Sequence, residues 1–249
     1  MVGHVPHSSI VIPAAVRAEL LLDDGALARE LVRLTDWHTD DLFDWLRDGG
    51  ATMLVNRLSR LVFDPERFAD DDQEPMSAAG QGAVYTRTTL GDRLRELTEE
   101  QRSYRITDLF EPYHAALSEL VGTLVNRNGR CTIIDCHSFA TTPLPSEPDQ
   151  DTDRPDICIG TDPFHTPPAL AASLERAFGA EGFDVRRDSP FSGCLVPLGY
   201  HRKDGRVAAV MIEVRRGLYC DESTGERSPG YAAVRAALQR AVTATGVFA

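Results

Sequence analysis

The 249-residue chain carries 26 Lys and Arg against 38 Asp and Glu, a net charge of −12, and 42% of its residues are hydrophobic. This length and hydrophobic fraction suit one large α/β domain, residues 1–249, with a full core. The acidic charge argues against nucleic acid and anionic membranes as partners, because phosphate-binding surfaces need clustered Lys and Arg. An acidic protein can still bind an anionic substrate through locally placed arginines.

The sequence gives no sign of a membrane or secreted environment. No apolar run approaches the roughly 20 residues that a membrane helix needs. Residues 1–12 lack the basic segment and long apolar stretch of a signal peptide. The cysteines are odd in number and form no CxxC pair, which favours neither a disulfide framework nor a zinc knuckle. We therefore expect a cytoplasmic protein.

Strand-like and helix-like segments alternate along the chain. In the first half of the chain we predict a strand at Val2–Val5, a helix over 24–46, strands at Thr52–Val55 and 61–63, a loop over 64–92 and a mainly helical stretch over 92–126. In the second half we predict a strand at Cys131–Phe139, a loop over 141–156 and a helix over 168–178. Strands at Val185–Arg187, 194–197 and 207–214 follow, and then a helix over 230–244. The strands at Cys131–Phe139 and 207–214 are apolar on both faces. That pattern is typical of a mostly parallel or mixed sheet covered by helices on both sides.

Asp135 and His137 are charged or polar residues near the end of a buried strand. They are two apart, so they share one face of the sheet. The adjoining loop over 141–156 holds four prolines and five acidic residues, and long loops inside a compact domain often carry function. Ligands of α/β proteins bind at strand ends. The pair is either a structural Asp–His pair or a metal site with His137 as a ligand.

Glu213 lies inside the apolar strand over 207–214. An unpaired carboxylate in such a strand would cost several kcal/mol. Pairing with Arg215 on the same face is one explanation. The other is a general base or acid, because burial raises the pKa of a carboxyl group toward neutral pH.

Two further segments carry ligand-type side chains. His7 follows the first strand, and the stretch 35–41 contains Asp36, His38 and Asp40. Ser8 and Ser9 are potential nucleophiles, but no G-x-S-x-G elbow surrounds them. The chain also lacks H-E-x-x-H, Walker A and G-x-G-x-x-G motifs. Each segment is therefore a weak signal by itself.

Taken together, seven segments resemble the N-formylglutamate amidohydrolase family, in the same order and over nearly the whole chain. They are Pro6-His7-Ser8, Thr35-Asp36-Trp37-His38, the stretches 59–67 and 112–117, Asp135-Cys136-His137-Ser138, the stretch 155–161, and Ile212-Glu213 followed by 219–222. The family is similar to the zinc carboxypeptidases. The resemblance therefore implies a three-layer α/β/α fold of the phosphorylase/hydrolase type, with a central mixed, mostly parallel sheet.

The resemblance also implies a metal site. Zinc carboxypeptidases use a His-x-x-Glu pair and a distant histidine, and His7 and His137 match the two histidines. Ile10 stands where the glutamate would be and cannot be a ligand. The resemblance assigns Asp36 as the third ligand, with His38 and Asp40 as alternatives. Two imidazoles and a carboxylate suit zinc or another divalent ion and leave one position for water.

The implied reaction is metal-dependent hydrolysis of an N-formyl or similar small N-acyl group from an acidic amino acid. Glu213 would be the general base and acid, and His114 would stabilise the oxyanion or orient the substrate. Arg60 and Arg67 would bind substrate carboxylates, with His165 as a weaker candidate. The structural alternatives are salt bridges from Arg60 and Arg67 to Asp64, and helix packing for His114.

The chain departs from the family pattern at two places that bear on substrate identity. Ser8-Ser9 follows the first histidine where Asp-Gly or Ser-Gly is common, and Glu66 precedes Arg67 where Asn is common. Two other functions therefore remain to be separated by experiment. One is a non-catalytic protein that binds a metal or an amino acid, and the other is an amidase or peptidase for a different N-acyl compound.

Overall fold

The computed structural model describes residues 1–248 and contains one six-stranded sheet. Its strands are β1 (Val2–Val5), β2 (Thr52–Val55), β3 (Cys131–Phe139), β4 (Ile157–Gly160), β5 (Val185–Arg187) and β6 (Val207–Arg215). The spatial order is β2-β1-β3-β6-β4-β5, and every neighbouring pair is parallel except β4 with β6. The prediction of a mixed, mostly parallel sheet is confirmed.

The α-helices of residues 1–248 differ widely in length. They are α1 (Ala14–Arg17), α2 (Asp24–Leu34), α3 (Thr39–Leu42), α4 (Glu99–Tyr104), α5 (Glu111–Asn128), α6 (Pro168–Ala180) and α7 (Tyr231–Ala244). Short 3₁₀ helices occupy Asp44–Gly49, Pro75–Ala79 and Arg216–Leu218, and a π-helix, Arg105–Phe110, joins α4 to α5. Within this part of the chain, no helix has the length and hydropathy to cross a bilayer.

The two faces of the central strands enter different hydrophobic cores. Ile134 of β3 belongs to a core that includes Leu174 of α6 and Leu238 of α7. The next residue toward the N-terminus, Ile133, belongs to a core with Leu117 of α5. Because successive side chains of a strand point to opposite faces, helices cover both sides of the sheet. This arrangement confirms the three-layer α/β/α fold.

The helix predicted over 24–46 is interrupted where the chain approaches β1. α2 ends at Leu34, and α3 and the 3₁₀ helix Asp44–Gly49 follow only after a break. In the break, the backbone N–H of Asp36 donates to the carbonyl of His7 at 3.1 Å, and His38 adopts a left-handed φ of 61°. Tertiary hydrogen bonding thus outweighs the helical spacing of the apolar residues.

Two predicted strands are wrong and one strand was not predicted. Residues 61–63 form turns, and their buried side chains pack in local clusters away from the sheet. Residues 194–197 are irregular. β4 is only four residues long and ends in Gly160, so its sequence carries little strand signal.

Candidate metal centre and active site

Three parallel strands bring functional side chains to one edge of the sheet. β1, β3 and β6 point in the same direction, so their carboxyl ends meet at this edge. His7 lies two residues beyond β1, while His137 of β3 is paired in register with Glu213 of β6. Both paired residues lie on the strand face that also carries Ile133, which packs against α5.

His7, Asp36 and His137 form a buried cluster whose ligand-type atoms lie within 4.8 Å of one another. Asp36 Oδ2 is 3.2 Å from His137 Nδ1 and 3.7 Å from His7 Nδ1. His7 Nδ1 has no hydrogen-bond partner. Three residues that are distant in sequence therefore direct two imidazole nitrogens and one carboxylate oxygen toward the same place.

A carboxylate holds the second ring nitrogen of each histidine. His7 Nε2 is 2.8 Å from Asp64 Oδ1, and His137 Nε2 is 3.0 Å from Asp135 Oδ1. If each Nε2–H donates to its carboxylate, each Nδ1 keeps a lone pair for a metal ion. Carboxylates in this position are the common support of metal-binding histidines, because they fix the tautomer and the orientation of the ring.

The negative charge of Asp36 also favours a cation at this place. Its Oδ2 accepts from the backbone N–H of Ser138 and faces the two histidines. Burial opposes its ionisation, but His137 and His7 outweigh burial and hold the pKa of Asp36 well below its usual range. A buried carboxylate needs a compensating positive charge, supplied by a proton on the imidazoles or by a metal ion. Two imidazoles and a carboxylate are a donor set that catalytic zinc accepts.

A second buried cluster adjoins the first through Asp135. His4 Nδ1 lies 2.8 Å from Asp135 Oδ1 and 3.2 Å from Glu66 Oε1, and His4 Nε2 lies 2.7 Å from the hydroxyl oxygen of Tyr113. Burial opposes protonation of His4, but Asp135 and Glu66 outweigh it and raise the pKa of His4 to about 9. His4 is therefore a cation at neutral pH, and both of its ring nitrogens have partners.

Glu213 lies beside His137 and is almost fully buried, with a relative exposure of 7%. Its Oε2 has no hydrogen-bond partner. The alternative pairing with Arg215 is not formed, because Arg215 pairs with Asp156. Burial is the main cause that raises the pKa of Glu213 to about 8, and Asp36 adds to it. A carboxyl group with this pKa can exchange a proton near neutral pH.

The cluster opens on a cavity of about 680 Å³, a volume that suits a small organic molecule. His7, Asp36, His137 and Glu213 all lie on its wall. The Pro-rich loop over 141–156 contributes to the same wall, as the sequence led us to expect of a functional loop. Guanidinium groups are also present there, from Arg33, Arg60, Arg67 and Arg216.

The two predicted substrate-binding arginines have different surroundings. Arg60 donates through Nε and Nη2 to Asp64 Oδ2, at 3.1 and 2.7 Å. Tyr85 donates to the same oxygen. Arg67 Nε is 3.8 Å from that oxygen and makes no hydrogen bond. Arg60 is thus committed to the carboxylate that orients His7, whereas Arg67 keeps a donor for another group.

His114 reaches the cavity wall, but one of its nitrogens is already used. Its Nε2 is 3.0 Å from the carbonyl oxygen of Pro65, and its ring lies 4.2 Å from that of Phe110. Burial lowers the pKa of His114, so the imidazole is neutral and Nε2–H donates to Pro65. Its catalytic role stays a prediction.

The structure does not support the substrate-binding role predicted for His165. The side chain is 1% exposed and lies off the cavity wall. Its Nδ1–H donates to the carbonyl of Val207, and its Nε2 accepts the backbone N–H of Arg202, both at 2.7 Å. With both nitrogens bonded to the backbone, His165 fixes the start of β6.

His38 and Asp40, the alternatives for the third ligand, lie outside the metal cluster. His38 Nε2 is 2.8 Å from the carbonyl oxygen of Gly225, and its ring packs against Tyr231. Asp40 lies in the first turn of α3 and does not line the cavity.

Sequence reasoning missed Arg33, Tyr85 and Arg216. Arg216 is 4% exposed, and its Nε has no partner although Nη1 donates to the carbonyl of Arg33. The signal for Arg216 was its position three residues after Glu213, just past the end of a strand that carries a candidate catalytic group. Tyr85 and Arg33 lie in a loop and in a helix, where nothing in the sequence sets them apart.

Comparison with known proteins assigns the chain to a family. The family model for N-formylglutamate amidohydrolase matches residues 1–220. The chain belongs to this family. A protein of Pseudomonas aeruginosa named N-formylglutamate deformylase is 30% identical over 225 residues, 88% of this chain and 81% of its own length. A Pseudomonas putida protein of the same name is 28% identical over 227 residues, with the same coverage.

Solved structures have the same fold. The crystal structure of N-formylglutamate amidohydrolase from Ralstonia eutropha JMP134 is similar with a TM-score of 0.86 and 25% identity, over 98% of this chain and 92% of that one. A gene product of Agrobacterium tumefaciens has the same fold, with a TM-score of 0.70 at 19% identity over 99% of this chain and 90% of its own.

Proposed function

We propose that the protein hydrolyses the amide bond of an N-formyl acidic amino acid, with N-formyl-L-glutamate as the first substrate to test. We further propose that the reaction needs a divalent metal ion, with zinc expected. The observation that carries the proposal is that His7, Asp36 and His137 lie on one cavity wall with Glu213, whose Oε2 has no hydrogen-bond partner. The names of the Pseudomonas relatives support the substrate.

The chain's own groups divide the work of an amide hydrolysis. His7, Asp36 and His137 would hold the ion, while Asp64 and Asp135 keep the two imidazoles oriented. A divalent ion held there would lower the pKa of a water molecule to about 7 and polarise the amide carbonyl. Glu213 takes a proton from the attacking water and delivers it to the leaving nitrogen, so that formate and the free amino acid are released.

The cavity wall can orient an anionic substrate although the protein as a whole is acidic. Arg67 and Arg216 each have an unpartnered Nε on this wall. A guanidinium binds a carboxylate through two parallel hydrogen bonds, and both groups are therefore candidates for substrate carboxylates. Glu66, the residue before Arg67, forms its ion pair with His4, at 3.2 Å, so this departure from the family leaves Arg67 available.

The test is a substrate panel on purified protein whose metal content has been measured. N-Formyl-L-glutamine is the matched control for N-formyl-L-glutamate, because it has the same shape and lacks the side-chain charge. N-Acetyl-L-glutamate tests the acyl pocket. We expect the highest kcat/KM for N-formyl-L-glutamate, loss of turnover with a chelator, and recovery with zinc. Faster turnover of another N-acyl compound would make the protein a different amidase. Binding without turnover would make it a non-catalytic homologue.

A further inference from the structure

Within residues 1–248, the buried side-chain atoms without a hydrogen-bond partner lie in two places, apart from Asn56 Nδ2. One is the cavity wall described above, where they include atoms of His7, Glu213 and Arg216. The other is the pair Arg95 and Arg105. The proposed reaction accounts for the first group and gives no reason for the second.

Arg95 is a buried cation without a carboxylate partner of its own. Its side chain is 2% exposed, its Nη2 donates to the carbonyl of Leu61, and its Nε and Nη1 have no partner. The neighbouring Arg105 is 1% exposed and pairs with Glu19. Two buried guanidinium groups thus share one carboxylate. Burial, together with Arg105, lowers the pKa of Arg95 to about 10. Such a charge is costly unless an anion compensates it.

A second cavity, of about 380 Å³, opens beside Arg95. Its wall carries four arginines and two acidic residues, Arg87, Arg93, Arg95, Arg102, Asp71 and Glu96. Each acidic residue is already paired, Asp71 with Arg102 at 2.9 Å and Glu96 with Arg93. Arg87 donates to the backbone carbonyl of Gly91. Arg87 and Arg95 therefore remain as two positive charges that no carboxylate of the wall neutralises.

We propose that this second cavity binds a doubly charged oxyanion of the phosphate class. Two uncompensated guanidinium groups match the charge of a phosphate dianion, and planar guanidinium donors match its oxygens. The site is distinct from the proposed active site, because the two cavities share no lining residue. The second cavity is nevertheless connected to the proposed active site, because Arg95 donates to the carbonyl of Leu61, the residue next to Arg60.

Calorimetric titration with inorganic phosphate, against sodium chloride at matched ionic strength, tests the proposal. We expect saturable binding by the metal-loaded protein. Arg87→Gln removes an exposed guanidinium with little risk to folding and should weaken phosphate binding about 10–100-fold, the worth of a charge-assisted contact. Arg127→Gln, at an exposed position of α5, is the matched control and should bind as the wild type does.

Arg95→Met tests the buried charge itself. The variant should lose the phosphate response, and without phosphate it should unfold at a temperature equal to or above that of the wild type, because an uncompensated charge has been removed. Should this variant not fold, Arg87→Gln still decides the question. Arg67→Ala should keep the binding that depends on Arg87. Wild-type affinity in Arg87→Gln, a response equal to that of chloride, or loss of the Arg87-dependent binding in Arg67→Ala would each overturn the proposal.

Discussion

Two histidine–carboxylate clusters lie side by side in this protein and differ in what their nitrogens do. In the first, His7 keeps an unpartnered Nδ1 on the wall of the large cavity, with Asp36 and His137 beside it. In the second, His4 lies between Asp135 and Glu66, and Tyr113 takes its other nitrogen. Both have the residue types and the closeness of a metal site.

The difference shows how ligand sets can be told apart from charge-balancing groups. A metal ligand needs a free lone pair and access to solvent or substrate, and only the first cluster has both. The second cluster is a cation enclosed by its counter-charges, and it lies off the cavity except for Glu66. We therefore interpret His4 as support for Asp135, which in turn orients His137.

The largest expected effect follows from a change in the first cluster, because only this cluster is proposed to hold the metal ion. His7→Ala should abolish stoichiometric zinc binding, because one of three ligands is gone. Its activity should fall by more than the 10²–10⁴-fold that loss of a proton-transfer group causes. His4→Gln, the matched change in the second cluster, should keep one ion per chain and lose no more than about 10–100-fold in affinity or activity. Metal analysis after dialysis distinguishes the two variants, and equal loss in both would make the clusters one functional unit.

The next largest effect concerns Glu213, the carboxylate that faces the first cluster. Glu213→Gln keeps the size of the side chain and much of its hydrogen bonding but removes the base. We expect kcat to fall by about 10²–10⁴-fold, with folding and metal content close to those of the wild type. Circular dichroism and metal analysis are the controls. A variant that turns over at nearly the wild-type rate would end the assignment of Glu213 as the proton-transfer group.

The mostly parallel sheet was predictable, because the apolar pattern that indicates it lies within single strands. β3 and β6 are apolar on both faces, and alternation alone shows that Asp135 and His137 share a face. The second cluster was not predictable. His4 and Tyr113 are 109 residues apart and meet through the packing of α5 on the sheet. No local pattern encodes a contact of that kind.

The metal ligands themselves needed the family resemblance. From helical spacing alone, Asp36 and His38 belonged to one helix, and nothing favoured Asp36. The hydrogen bond from the Asp36 N–H to the His7 carbonyl breaks that helix and brings Asp36 to His137. His165 is the opposite case: the sequence favoured a substrate-binding role for it, because a sequence cannot show that both of its ring nitrogens bond to the backbone.

The charge on His4 should make stability depend on pH in a defined direction. Because its pKa is raised from 6.5 to about 9, the native state binds more protons than the unfolded state between these values. The stabilisation is complete below about pH 6.5 and is lost as the pH rises through 9. The free energy of unfolding of the metal-free protein can be measured by denaturant titration at a series of pH values. As the pH rises from about 6.5 to above 9, it should drop by about 2–4 kcal/mol more in the wild type than in His4→Gln. Parallel pH profiles would show that His4 is neutral in the native state.

The smallest expected effect is the difference between the Arg67→Ala and Arg60→Ala variants. These two arginines differ in the same way as the two histidine clusters. Arg60 uses Nε and Nη2 to bind Asp64, whereas the Nε of Arg67 has no partner. Arg67→Ala should raise KM for N-formyl-L-glutamate and leave KM for N-formyl-L-glutamine nearly unchanged, at a cost of about 1.5–3 kcal/mol in kcat/KM for the charged substrate. Arg60→Ala should instead lower activity on both substrates alike, because it leaves Asp64 without its main counter-charge and so loosens His7. If Arg60→Ala discriminated between the two substrates and Arg67→Ala did not, the roles of the two arginines would be exchanged, and the free Nε of Arg67 would not mark the substrate site.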